Sequence, residues 1–66
     1  MRLKINGQLQ NFAQELSISQ LLEQLQLVPE QVVVELNREI LTVDRHATTR
    51  LNDGDTLELI QFVGGG

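Results

Sequence analysis

Apolar and polar residues alternate with period two over Met1-Arg2-Leu3-Lys4-Ile5, the signature of a half-buried strand. Asn6-Gly7 follows. That pair accepts positive φ at both central positions of a type I′ hairpin. Gln8-Leu9-Gln10-Asn11-Phe12 then reads as the return strand, with alternation that breaks at Phe12 and leaves room for a bulge.

The period changes after Leu16. Ile18, Leu21, Leu22 and Leu25 fall at i, i+3, i+4 and i+7, one apolar stripe of an amphipathic helix. Ser17 and Gln20 have the spacing of a capping box, and Leu16 and Leu21 that of a hydrophobic staple. Pro29 excludes helical backbone at Val28, so the helix is predicted to end near Gln26 or Leu27. Gln31 to Leu36 is rich in β-branched residues and predicts a strand buried on at least one face. Asn37-Arg38 is a tight turn into a short segment, Glu39 to Val43. Asp44 to Asn52 is polar and irregular, with Leu51 its only large apolar residue. Asp53-Gly54-Asp55 turns the chain into a last strand, Thr56 to Val63.

Hairpin, helix, strand, short strand, loop, strand: one amphipathic helix across one sheet buries both apolar faces. The predicted class is α+β, a β-grasp arrangement with one main helix packed across a mixed sheet of four to five strands. The first and last strands pair in parallel at its centre. Residues 1–63 form the domain and 64–66 a flexible glycine tail.

Within the last strand, Leu57 and Leu59 share one face and Ile60 and Phe62 the other. If the leucines meet the helix, Ile60 and Phe62 point away from it, and a single-helix fold has nothing of its own to cover them. Two readings stand: a docking patch beside the tail, or a bulge that turns Ile60 or Phe62 inward.

Composition removes several function classes. At 66 residues with no cysteine, the chain holds one domain, without disulfides, thiolate metal site or thiol nucleophile. A formal charge of −4 and only two aromatic residues argue against nucleic-acid binding and against anionic membranes. MRLKIN lacks the apolar core of a signal peptide, and no apolar run is long enough to span a bilayer. A soluble, cytoplasmic protein is the expectation.

Enzymatic chemistry finds little support. His46, the only histidine, lies in the polar loop without an evident partner and reads as solvated. Asp53 and Asp55 read as turn formers, because a calcium loop needs more oxygen ligands at set offsets. Glu35 and Glu39 read as a solvated pair beside a turn. No helix follows the glycines, so they make no phosphate loop. Neither a bound metal nor a bound cofactor is expected.

The sequence closes on Phe62-Val63-Gly64-Gly65-Gly66. Glycine is costly to order and offers no side chain for packing. A function for it exists where a thin backbone must carry a carboxylate into a narrow channel. A carboxylate becomes electrophilic once converted to an acyl-adenylate, and the site must exclude water or the anhydride hydrolyses. Val63 to Gly66, fully extended, reach about 13 Å. Ordering them costs about 1–2 kcal/mol per residue, so a docking surface must contribute affinity; Ile60 and Phe62 are placed to do so.

These segments resemble the sulfur carrier family of thiamin biosynthesis, a ubiquitin-like β-grasp family, along essentially the whole chain. The resemblance rests on the short first hairpin, Ser17-Ile18-Ser19-Gln20-Leu21-Leu22, Val34 to Ile40, Leu51-Asn52-Asp53-Gly54-Asp55 and, most of all, the FVGGG ending. The small subunit of molybdopterin synthase shares the fold but usually reaches its terminal glycines through a proline-containing segment, which is lacking here. The resemblance implies a recycled co-substrate rather than a catalyst, with no catalytic residues of its own. An adenylyltransferase of the ubiquitin-activating type would adenylate the Gly66 carboxylate with ATP and Mg²⁺. Sulfur from a cysteine desulfurase would make it a thiocarboxylate, and thiazole synthase would accept that sulfur. Gly65 and Gly66 match the family's terminal pair; Gly64 matches a variable position, and Gly64 and Gly65 would serve tail threading. A carrier for molybdopterin or another metabolite, or a ubiquitin-like modifier of lysines, is the alternative.

Overall fold

The computed structural model describes residues 1–62. Strand β1 (Arg2–Ile5) and strand β2 (Gln8–Asn11) form the first hairpin, in the unbroken register Arg2↔Asn11 to Ile5↔Gln8. Asn6 and Gly7 both take positive φ, 50° and 83°, as the turn type requires. Phe12 causes no bulge. Met1 and Phe12 exchange hydrogen bonds in both directions at 2.8 Å, so the ladder continues one step further. Phe12 lands on the core side beside Met1, both packed against the core.

Helix α1 (Ile18–Gln24) starts as its sequence dictates. The Gln20 amide donates to Ser17 Oγ at 3.2 Å, and the Ser17 amide donates to Gln20 Oε1 at 2.9 Å. Ile18, Leu21 and Leu22 are wholly buried. The helix ends two to three residues earlier than Pro29 alone implies. Leu25 is the cap and Gln26 turns left-handed at φ 60°. The Gln26 amide donates to Glu23 O and the Leu27 amide to Leu22 O, the paired bonds of a Schellman ending.

Strand β3 (Val32–Leu36), strand β4 (Glu39–Leu41) and strand β5 (Thr56–Gln61) complete a five-stranded sheet in the order β2-β1-β5-β3-β4. β1 and β5 are parallel, through Lys4↔Thr56 and Ile5↔Leu57; β5 and β3, and β3 and β4, are antiparallel. The expected central pairing of first and last strands is thus present, and the sheet is mixed. The core lies between α1 and one face of the sheet: Leu3, Ile5, Val34, Leu41, Leu57 and Leu59 from the strands, Ile18, Leu21 and Leu22 from the helix, and Leu16 and Leu51 from the connections.

The polar loop before β5 is more ordered than its composition suggests. A 3₁₀ turn at Val43–Arg45 leads it across the start of α1. The amides of Ile18 and Ser19 donate to the carbonyls of Thr49 and His46, which satisfies two of the helix's orphan N–H groups. The Leu51 amide donates to Leu16 O at 2.8 Å, and the Leu51 side chain enters the core. His46 is drawn in with it. The expectation of a solvated histidine is corrected: His46 is 2% exposed, and neither ring nitrogen finds a hydrogen-bond partner among the described residues. At the loop's surface, a hydrogen bond from Thr42 does most to hold the Asp44 carboxyl below its ordinary range.

Candidate functional site

β5 is the central strand, flanked by β1 and β3, and it leads directly to the glycine segment. Its alternation separates two environments. Leu57 and Leu59 are buried in the core, while Ile60 is 57% and Phe62 48% exposed. The register with β3 runs without interruption from Leu36↔Leu57 to Val32↔Gln61, so no bulge turns either residue inward. Phe62 continues that ladder, its amide donating to Gln31 O at 3.1 Å.

Residues directly opposite in a sheet project from the same face, and this recruits neighbours that strand-by-strand reading does not supply. Val33 lies opposite Ile60. Ile40 and Glu58 both lie opposite Glu35, on its two sides. The sheet face away from α1 therefore carries Ile40, Val33, Ile60 and Phe62 around the outgoing end of β5, with the Glu35–Glu58 pair beside them. Ile40 is 65% exposed. Two carboxylates directly opposite across a ladder repel, so this pair does not exist to stabilise the sheet. Period two within Glu39–Leu41 marks Ile40 as opposite in sense to buried Leu41. Only the β3–β4–β5 register shows that Ile40 shares a face with Ile60.

The root of the outgoing strand is held on its other side. β1 leaves the sheet at Asn6-Gly7, and the Asn6 side chain takes over the ladder there. The Leu59 amide donates to Asn6 Oδ1 at 2.8 Å, and Asn6 Nδ2 donates to Leu59 O at 3.2 Å. The other end of β5 is tied in a similar way. The Thr56 amide donates to Asn37 Oδ1, and Asn37 Nδ2 donates to Asp55 Oδ1, both at 3.0 Å.

The remaining candidates fall into structural roles. Asp53 Oδ1 accepts from the Arg2 amide at 2.6 Å, and Asp55 Oδ2 from the Asn52 amide at 2.8 Å, so both carboxylates shape the turn around Gly54. Glu39 is exposed and Glu35 half-buried, each on a separate strand. Among the described residues, no group of three or more His, Asp or Glu gathers in a metal-binding arrangement, and no helix is long and apolar enough to cross a membrane. Gly64, Gly65 and Gly66, with Val63, lie outside the described residues.

Comparison with known proteins gives a consistent result. The ThiS family model matches residues 3–66. A crystal structure of the thiamine biosynthesis protein ThiS from Geobacter metallireducens superposes with a TM-score of 0.85 at 38% identity, covering all of both chains. A sulfur carrier protein ThiS from Bacillus subtilis is 42% identical over 50 residues, 76% of each chain. A thiazole synthase from Paramagnetospirillum magneticum is 41% identical over all 66 residues, yet the chain spans only 20% of that protein's length.

Proposed function

This chain belongs to the ThiS family, as a β-grasp sulfur carrier of thiamin biosynthesis, and on that premise we propose that Gly66 is where the sulfur is carried. The carboxylate attacks the α-phosphorus of ATP and displaces pyrophosphate, with Mg²⁺ held by the activating adenylyltransferase. Sulfur mobilised by a cysteine desulfurase arrives as a persulfide and displaces AMP. A thiol then cleaves the sulfur–sulfur bond and leaves a thiocarboxylate. Thiazole synthase removes that sulfur, and the regenerated carboxylate re-enters the cycle. The chain is a co-substrate: it contains no cysteine, so the sulfur it transfers comes from a separate donor.

The observation that carries this reading is the family match, which runs through Gly66. The fold supports it. β5 is paired with β3 along its length and with β1 at its start, and it carries exposed Ile60 and Phe62 shortly before the tail. In our proposal these residues dock on the activating enzyme and on the synthase, and offset the cost of ordering Val63 to Gly66. Gly64 and Gly65 thread the water-excluding channel, where any side chain would widen the strand. The thiazole synthase relative, in which a similar segment is part of one longer protein, favours that synthase as acceptor over a molybdopterin pathway.

Deleting Gly65 and Gly66 tests the proposal. Thiazole formation by the reconstituted enzymes should be lost while the circular dichroism spectrum is unchanged. Retained thiazole formation would overturn the assignment of the tail.

A further inference from the structure

We propose that Asn6 is a positioning residue for sulfur loading: its side chain fixes the root of the tail, so that the docking residues and the carboxylate reach their enzyme in one geometry. The inference rests on the tail chemistry proposed above, but its structural premise does not.

The first turn by itself asks only for positive φ at its two central positions, which glycine meets with less strain than asparagine. Asn6, at φ 50°, does more. Its own amide donates to Leu57 O at 2.9 Å, the last backbone bond from β1 to β5. Its side-chain amide supplies a carbonyl acceptor and N–H donors, and so can present the same acceptor–donor pair that a further peptide unit of β1 would offer. Leu59 uses both. The parallel ladder therefore extends one step past the point where β1 turns away. Leu59 is the residue before Ile60 and three before Phe62, so this clamp is the last fixture on the β1 side ahead of the docking residues.

Other turn formers do not reproduce the pair. Glycine has no side chain, and an ionised aspartate accepts but does not donate. Asn37 supplies an internal control. It occupies the same position in the β3–β4 turn at φ 51°, and it too ties β5 with two side-chain bonds. Those bonds hold Asp55 and Thr56, at the end of β5 remote from the tail. Two asparagines in like turns thus do like work at opposite ends of one strand, and only one of them adjoins the tail.

The test compares Asn6→Gly, Asn6→Asp and Asn37→Gly with the wild type in ATP–pyrophosphate exchange catalysed by the activating enzyme. Amide hydrogen exchange is followed on the same four proteins. Asn6→Gly keeps the turn and should speed exchange of the Leu59 amide by about tenfold or more. It should raise the KM for the carrier about tenfold with kcat nearly unchanged. Asn6→Asp, which keeps the acceptor for the Leu59 amide, should recover part of that loss. Asn37→Gly should lower the melting temperature comparably and leave KM near the wild-type value. An Asn6→Gly protein with wild-type KM and a deprotected Leu59 amide would overturn the positioning role, as would an equal KM increase in Asn37→Gly. A wild type that supports no pyrophosphate exchange would overturn the proposed tail chemistry instead, and this inference with it.

Discussion

β5 has two faces made from neighbouring residues and held in opposite circumstances. Leu57 and Leu59 lie under α1 in a core shared with Ile18, Leu21 and Leu22. Ile60 and Phe62, one and three residues beyond Leu59, project from the opposite face and are about half exposed among the described residues. The inner pair is explained by stability alone. The outer pair is not: exposed polar residues at 60 and 62 would satisfy the same ladder, and an apolar group gains little while it stays in water. Apolar residues beyond what one core can use, grouped with Ile40 and Val33 across three strands, form the patch on which the proposed docking rests.

Substitutions on the two faces should separate folding from docking. Leu57→Ala removes a wholly buried side chain and should cost about 2–5 kcal/mol in urea unfolding. That is a large share of what a domain this small possesses. Phe62→Asp should leave stability within about 0.5 kcal/mol, yet weaken binding to the activating enzyme about 30-fold in calorimetry, as expected of an aromatic anchor. If Phe62→Asp unfolds the protein, or if it binds with unchanged affinity, the two faces do not divide the work in this way.

Two polar residues are buried among those described, Ser17, which caps α1, and His46. Both ring nitrogens of His46 lack partners among the described residues, and an unpaired buried polar group is destabilising. His46→Leu should therefore raise stability by about 1 kcal/mol, seen as a higher melting temperature. A loss instead would show that the imidazole contributes to the loop that crosses α1. Smaller still, Gln26→Gly relieves a left-handed non-glycine residue at the end of α1 and should add about 0.5–1 kcal/mol.

These sites also show how much of the molecule is legible in its residues. Both hairpin turns, the Ser17–Gln20 cap, the helical stripe and the two faces of β5 each follow from a local period or a local hydrogen-bond rule. The element order then leaves few ways to cover one sheet with one helix. The misses have a common cause. The helix ends at Gln24, with Leu25 as its cap, because the chain turns left-handed at Gln26 without the glycine that usually signals such an ending. His46 is buried because carbonyls of its loop satisfy amides of α1, a contact between segments more than 25 residues apart that no local pattern encodes. Ile40 and Val33 join the outer face only through strand register. Asn6 reads as a turn residue, and its bonds to Leu59 depend on β1 and β5 being parallel neighbours.

The most direct measurement is fragmentation mass spectrometry of the intact carrier after incubation with the activating enzyme, ATP, Mg²⁺ and the desulfurase system. One oxygen should be replaced by sulfur, and the added mass should appear only in fragments containing Gly66. An unchanged mass with enzymes of proven activity, or added mass located at Lys4 or any other side chain, would contradict a sulfur cargo carried on the backbone terminus.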